Sequence, residues 1–112
     1  MAGNHDFTID QGTTWNRVVT IDQNGAPVNL TGFTARMQLR RTRSQPDHDI
    51  SLTTENGGLT INPTNGTITI SMTADQTALL SDSYCYDLET TSGDTVARWL
   101  QGKVTISPEV TR

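Results

Sequence analysis

Apolar and polar residues alternate along most of this chain, in short runs broken by turn-forming clusters. The stretch from Thr67 to Ile106 shows the pattern best. Ile68, Ile70 and Met72 alternate with Thr69 and Ser71, and Tyr84, Tyr86 and Leu88 alternate with Cys85, Asp87 and Glu89. A period of two places successive side chains on opposite faces of a strand, so each run predicts a strand with one buried and one solvated face. Tyr84 and Tyr86 share the parity of Leu88, which predicts them for the core. Phe33 to Arg40 is equally regular, with Phe33, Ala35, Met37 and Leu39 on one side and Thr34, Arg36, Gln38 and Arg40 on the other. A helix would gather Phe33, Arg36, Met37 and Arg40 on one stripe, a poor surface to bury. The pattern predicts a strand.

The remaining runs are shorter. Phe7 and Ile9 alternate between Asp6 and Asp10, and Thr13 to Ile21 carries Trp15, Val19 and Ile21 on one parity with Arg17 as the exception. Asp22-Gln23-Asn24-Gly25 predicts a tight turn, because Asn-Gly tolerates positive φ. Ala26 to Leu30 reads as an extended edge or arch marked by Pro27. Strands are expected again at Ile50–Leu52, Leu59–Ile61 and Ile68–Met72, with turns at Asn56-Gly57-Gly58 and Pro63-Thr64-Asn65-Gly66. Ala74 to Leu80 is the one helical candidate, capped by Thr73 or Asp75, with an apolar stripe of Ala74, Thr77, Ala78 and Leu79. Two turns cannot stand alone, so it is expected to plug one end of the fold. Tyr84–Thr91 should pair with Thr95–Gln101, and Gly102 reads as a bulge before Val104 and Ile106. These elements predict an all-β fold: an antiparallel, immunoglobulin-like β-sandwich of about seven to eight strands, with one short helical turn near 74–80. Residues 1–112 make a single domain.

Composition changes the picture in two places. Only 33% of residues are hydrophobic, which raises disorder as an alternative. The charged fraction is just 18% and threonine, a strand-favouring residue, fills 20 positions, so a folded β-rich domain is the better reading. The formal net charge of -4 and a pI near 4.8 argue against a nucleic-acid footprint. The single cysteine closes no disulfide within the chain. The start Met1-Ala2-Gly3-Asn4-His5-Asp6 has neither a basic nor an apolar leader region, and no run approaches a membrane span, so synthesis in the cytosol is expected.

Candidate chemistry is sparse. His5-Asp6 and Asp47-His48-Asp49 hold the two histidines, and a metal would need them to converge with a third ligand. Cys85 stands between two tyrosines with no histidine nearby in sequence, which suits a half-buried small side chain better than a nucleophile. There is no Gly-x-Ser-x-Gly elbow and no phosphate-cradling glycine loop. Neither an enzyme nor a cofactor or small-molecule substrate is expected. Trp15 and Trp99, on strands, read as core or interface anchors. The distinctive charge feature is a basic stripe: Arg36, Arg40, Arg41 and Arg43 are half of the eight basic residues, within eight positions. Asp87 and Glu89 on a neighbouring strand would balance it; the alternative is a docking patch for an acidic partner.

Two stretches carry a resemblance. The first runs Gln11-Gly12-Thr13-Thr14-Trp15 and then Asp22 to Gln38, containing an arch of the form D-x-x-G-x-P-V-x-L-T-G. The second runs Tyr86-Asp87-Leu88-Glu89 and then Leu100 to Arg112. Together they resemble small virion proteins of tailed bacteriophages and the amino-terminal, immunoglobulin-like domains of phage baseplate upper proteins. The resemblance implies a non-enzymatic structural role in the tail or baseplate, assembled in the host cytoplasm. The chain would be an adaptor or docking module joining fibres or receptor-binding proteins to the tail. Baseplate upper proteins continue past the sandwich into helical and fibre-holding regions, so an adaptor or decorating subunit is the expected form. A capsid-decorating or head-fibre protein is the alternative within the virion, and a carbohydrate-binding sandwich module the alternative outside it.

The expected partners are other virion proteins and copies of this chain, with no nucleic acid and no membrane. Two surfaces are marked for them. One is the stripe and the polar loop that follows it, through Arg36, Arg40, Arg41, Arg43, Pro46 and His48; at nine residues the loop Arg41–Asp49 exceeds a tight turn. The other is the pair of polar chain ends, Met1–Asp6 and Pro108–Arg112, with Met1, Asn4, Pro108 and Arg112 as the residues of interest.

Overall fold

Residues 3–23, 25–42 and 50–108 are described in the computed structural model. In chain order the strands are β1 (Gly3–Asn4), β2 (Phe7–Asp10), β3 (Trp15–Thr20), β4 (Asp22–Gln23), β5 (Ala26–Pro27), β6 (Thr34–Arg40), β7 (Ile50–Thr53), β8 (Leu59–Asn62) and β9 (Thr67–Met72). Helix α1 (Ala74–Ala78) then leads to β10 (Ser83–Ser92) and β11 (Thr95–Ser107). Six strands form one sheet in the order β1-β11-β10-β6-β7, with β2 also paired to β11. Three form the other, in the order β3-β9-β8, and β4-β5 is a separate ribbon closed by Gly25 at φ 80°. Eight of the eleven strands have four or more residues. The fold is an all-β sandwich.

The alternation read from the sequence is what builds it. β6 buries Ala35, Met37 and Leu39, β9 buries Ile68, Ile70 and Met72, and β10 buries Tyr84, Tyr86, Leu88 and Thr90. With Ile9, Leu52, Val104 and Ile106 from the six-stranded sheet and Trp15, Val19 and Leu59 from the other, these side chains make a single core. Sixty-seven to 106 is therefore not one structural unit: β9 lies in the small sheet, β10 and β11 in the large one. The crossing between them is α1. Thr73 Oγ1 accepts from the Gln76 N–H at 3.2 Å and Gln76 Oε1 accepts from the Thr73 N–H at 2.8 Å, a reciprocal capping box. The Thr77 hydroxyl donates to the Thr13 carbonyl at 2.7 Å, and Gln11 Nε2 donates to the Leu80 carbonyl at 2.7 Å. The knuckle closes one end of the sandwich, as its length requires.

Four expectations are corrected. Pairing is not wholly antiparallel: β1 and β2 run parallel to β11, with Gly3 opposite Leu100 and Phe7 opposite Val104. Gly102 is not a bulge; it sits opposite Tyr86, and the register shift lies between Leu88 and Glu89, where Trp99 is the extra residue of β11. A Cβ at 102 would run into the His5 carbonyl, so glycine is there for close approach of the first strands. Phe33 precedes β6 and is half-buried rather than a core residue. In the knuckle Leu79 is 84% exposed, and it is Thr77 and Leu80 that turn inward.

Candidate protein-docking face

The outer face of the large sheet is set by the register of its central strands. Across β6 and β10, Arg36 stands opposite Glu89, Gln38 opposite Asp87, and Arg40 opposite Cys85. Across β10 and β11, Glu89 stands opposite Arg98, Asp87 opposite Gln101, and Cys85 opposite Lys103. On these three strands Arg36, Arg40, Arg98 and Lys103 thus share a face with two carboxylates, Asp87 and Glu89. These three strands carry a formal charge of +2 in a chain whose total is -4. The inner faces of the same strands carry no charged residue, so the asymmetry is confined to one side.

The stripe divides on inspection. Arg36 Nη2 reaches Glu89 Oε1 at 2.9 Å, a cross-strand pair open to solvent on the arginine side. This is the balanced pairing that Glu89 offered in the sequence. Arg41 turns away from the sheet: it donates to the carbonyls of Ser81 and Ser83 at 2.6 and 3.2 Å and lies over the Tyr84 ring at 4.2 Å. Arg40 keeps its place on the face, half-buried, and its Nε is shut off from solvent with no acceptor. Arg43, Pro46 and His48 lie outside the described residues, as do Met1 and Arg112.

Arg98 was hidden from a strict reading of alternation. Period two would put it on the inner face with Leu100 and Val104. The extra residue at Trp99 reverses the parity, so Arg98 emerges beside Asp87, with Nε 3.5 Å from Oδ2. Gln38, Arg40, Cys85, Tyr86, Asp87 and Arg98 then line a depression of about 270 Å³ on this face. Cys85, half-buried, forms part of its lining.

The first strands are held by the fold itself. The His5 N–H donates to the Gln101 carbonyl at 2.9 Å, the Tyr86 hydroxyl donates to the His5 carbonyl at 2.6 Å, and Asp6 Oδ1 accepts from the Lys103 N–H at 2.9 Å. Asn4 belongs to β1, exposed, with its Oδ1 3.3 Å from Gln101 Nε2. Pro108 is exposed just past β11. Burial, and secondly the charge of Asp6, raises the Tyr86 phenol above the ordinary tyrosine range. The aromatic residues offer no open platform: Trp15, Tyr84 and Tyr86 are buried, and half-buried Trp99 donates its indole N–H to Thr90 Oγ1 at 2.8 Å. Among the described residues no three His, Cys, Asp or Glu side chains come together as metal ligands. Neither any protein-family model nor any curated protein matches the chain.

Proposed function

We propose that this chain is a non-enzymatic structural protein of a tailed-bacteriophage virion, an adaptor or docking module of the tail or baseplate. Its partners are other virion proteins and further copies of itself. Two things support this reading: the resemblance carried by the arch at Asp22–Gly32 and by the closing strand, and the cation-rich outer face of β6, β10 and β11. The second carries the mechanism. A sandwich with one packed core is a rigid block, so it acts through surfaces rather than moving parts. A face bearing four cations and two carboxylates steers acidic partners and fixes their register. Such contacts weaken as salt screens them beyond a Debye length of about 8 Å at physiological ionic strength. The inward Trp15, Tyr84 and Tyr86 weigh against the carbohydrate-binding alternative.

The test is the particle. Purified virions of the encoding phage should contain this chain at a fixed copy number, located by electron microscopy on the tail or baseplate. Abundance in infected-cell lysate together with absence from purified particles would contradict the reading.

A further inference from the structure

The depression beside Arg40 is where the outer face offers hydrogen-bond donors that the fold leaves unused. Arg40 Nε is shielded from solvent without an acceptor, and among the described residues Arg40 makes no hydrogen bond or ion pair. Leaving such a group unpaired is costly, and an orphan of this kind calls for an explanation. The two carboxylates of β6, β10 and β11 are already engaged: Glu89 is held by Arg36, and Asp87 faces Arg98. Asp87 lies diagonally across from Arg40, within reach of a long side chain, and still pairs the other way. Opposite Arg40 stands Cys85, whose small side chain leaves the space open.

We infer that this depression receives a carboxylate of the docked protein, an Asp or Glu side chain or a chain terminus, with Arg40 as its anchor. The inference rests on the docking reading above and names its chemistry. A planar guanidinium offers paired N–H donors that match the two oxygens of a carboxylate. The lining carries two guanidinium groups against one carboxylate, a formal +1, which a single incoming carboxylate neutralises. A dianionic phosphate would overshoot that balance and meet Asp87 with twice the charge. The occupant is therefore an acidic segment of a partner protein.

The experiment follows the arginine Nε–H resonances of the isotopically labelled chain during titration with a blocked Asp-Asp-Asp peptide. A blocked Asn-Asn-Asn peptide and inorganic phosphate serve as comparators. The expected result is a saturable shift of the Arg40 resonance with the Asp peptide alone, with backbone shifts at Gln38 and Cys85. Arg40→Lys keeps the charge and loses the fork, so affinity should fall by roughly 10-fold or more while the rest of the spectrum is unchanged. No shift at tens of millimolar peptide, an equal response to phosphate, or undiminished affinity in Arg40→Lys each overturns the inference. Particle incorporation of Arg40→Gln separates this from the docking reading. A peptide response with normal incorporation keeps the carboxylate site and removes the docking role. Lost incorporation without a peptide response does the reverse.

Discussion

Gly102→Ala tests how the first strands are seated. A Cβ there would collide with the His5 carbonyl oxygen, and would lie 2.8 Å from Asp6 Oδ1 and 3.0 Å from the His5 carbonyl carbon. Two of the three are backbone atoms and cannot rotate away. The same carbonyl is gripped by the Tyr86 hydroxyl, and the His5 N–H by the Gln101 carbonyl. The segment between β1 and β2 must therefore lift. Overpacking costs about 1–3 kcal/mol, and losing the Tyr86 hydrogen bond adds about 0.5–1.5 kcal/mol. A total of about 1.5–4.5 kcal/mol lowers the melting temperature by roughly 6–27 °C in a domain of this size. Thermal melting by circular dichroism, with amide exchange at His5 and across Phe7–Asp10, reads both the loss and its location. In a chain beginning at Phe7 the same substitution should cost little, because its clash partner is gone. A melting temperature within about 2 °C of the parent, with His5 still protected, would refute the seating.

Ile70→Ala, at a fully buried centre of β9, should cost about 2–5 kcal/mol in denaturant unfolding; a loss below ~1 kcal/mol would break the strand parity. Thr73→Ala removes half of the capping box and should cost about 0.5–2 kcal/mol, read as an earlier melt of α1 protection in amide exchange. Tyr86 gives a pH prediction. An unfolded tyrosine ionises near pH ~10, whereas folded Tyr86 keeps its proton beyond that. Above pH ~10 the unfolded state then binds fewer protons, so stability falls as pH rises, with no slope from this group below it. The alkaline decline should be shallower in Tyr86→Phe, and identical declines in both proteins would contradict the burial argument.

Local order was legible in the chain and long-range order was not. β6, β9 and β10 follow from alternation because each has one buried face, and a one-residue slip would expose every apolar side chain. The knuckle was legible from its two candidate caps, Thr73 and Asp75, of which the fold uses Thr73 in a box with Gln76. What alternation could not supply was partnership. The parallel pairing of Gly3–Asn4 and Phe7–Asp10 with β11 joins segments nearly a whole chain apart, and no turn chemistry announces it. Gly102 drew attention as a break in a strand, yet its reason is the neighbour above it. The bulge instead falls at Trp99, a good strand residue, and its reversal of parity is why alternation alone does not bring Arg98 to the outer face. The arginine stripe was legible as composition. Its division into a paired Arg36, an orphaned Arg40 and a folded-back Arg41 depends on register and on Ser81 and Tyr84, forty residues away.

The central claim is that the outer face of β6, β10 and β11 docks the chain into a particle. Arg40→Glu combined with Arg98→Glu reverses both arginines of the depression while leaving the core untouched. The measurement is copy number per purified particle in a phage complemented with this variant, beside the thermal melt of the isolated protein. The account predicts a cooperative melt close to the parent's and a copy number reduced by about 10-fold or more, as expected when a close charge pair at an interface becomes a like-charge contact. A normal melt with a normal copy number would contradict it, and would return the arginine-bearing face to plain solvent exposure.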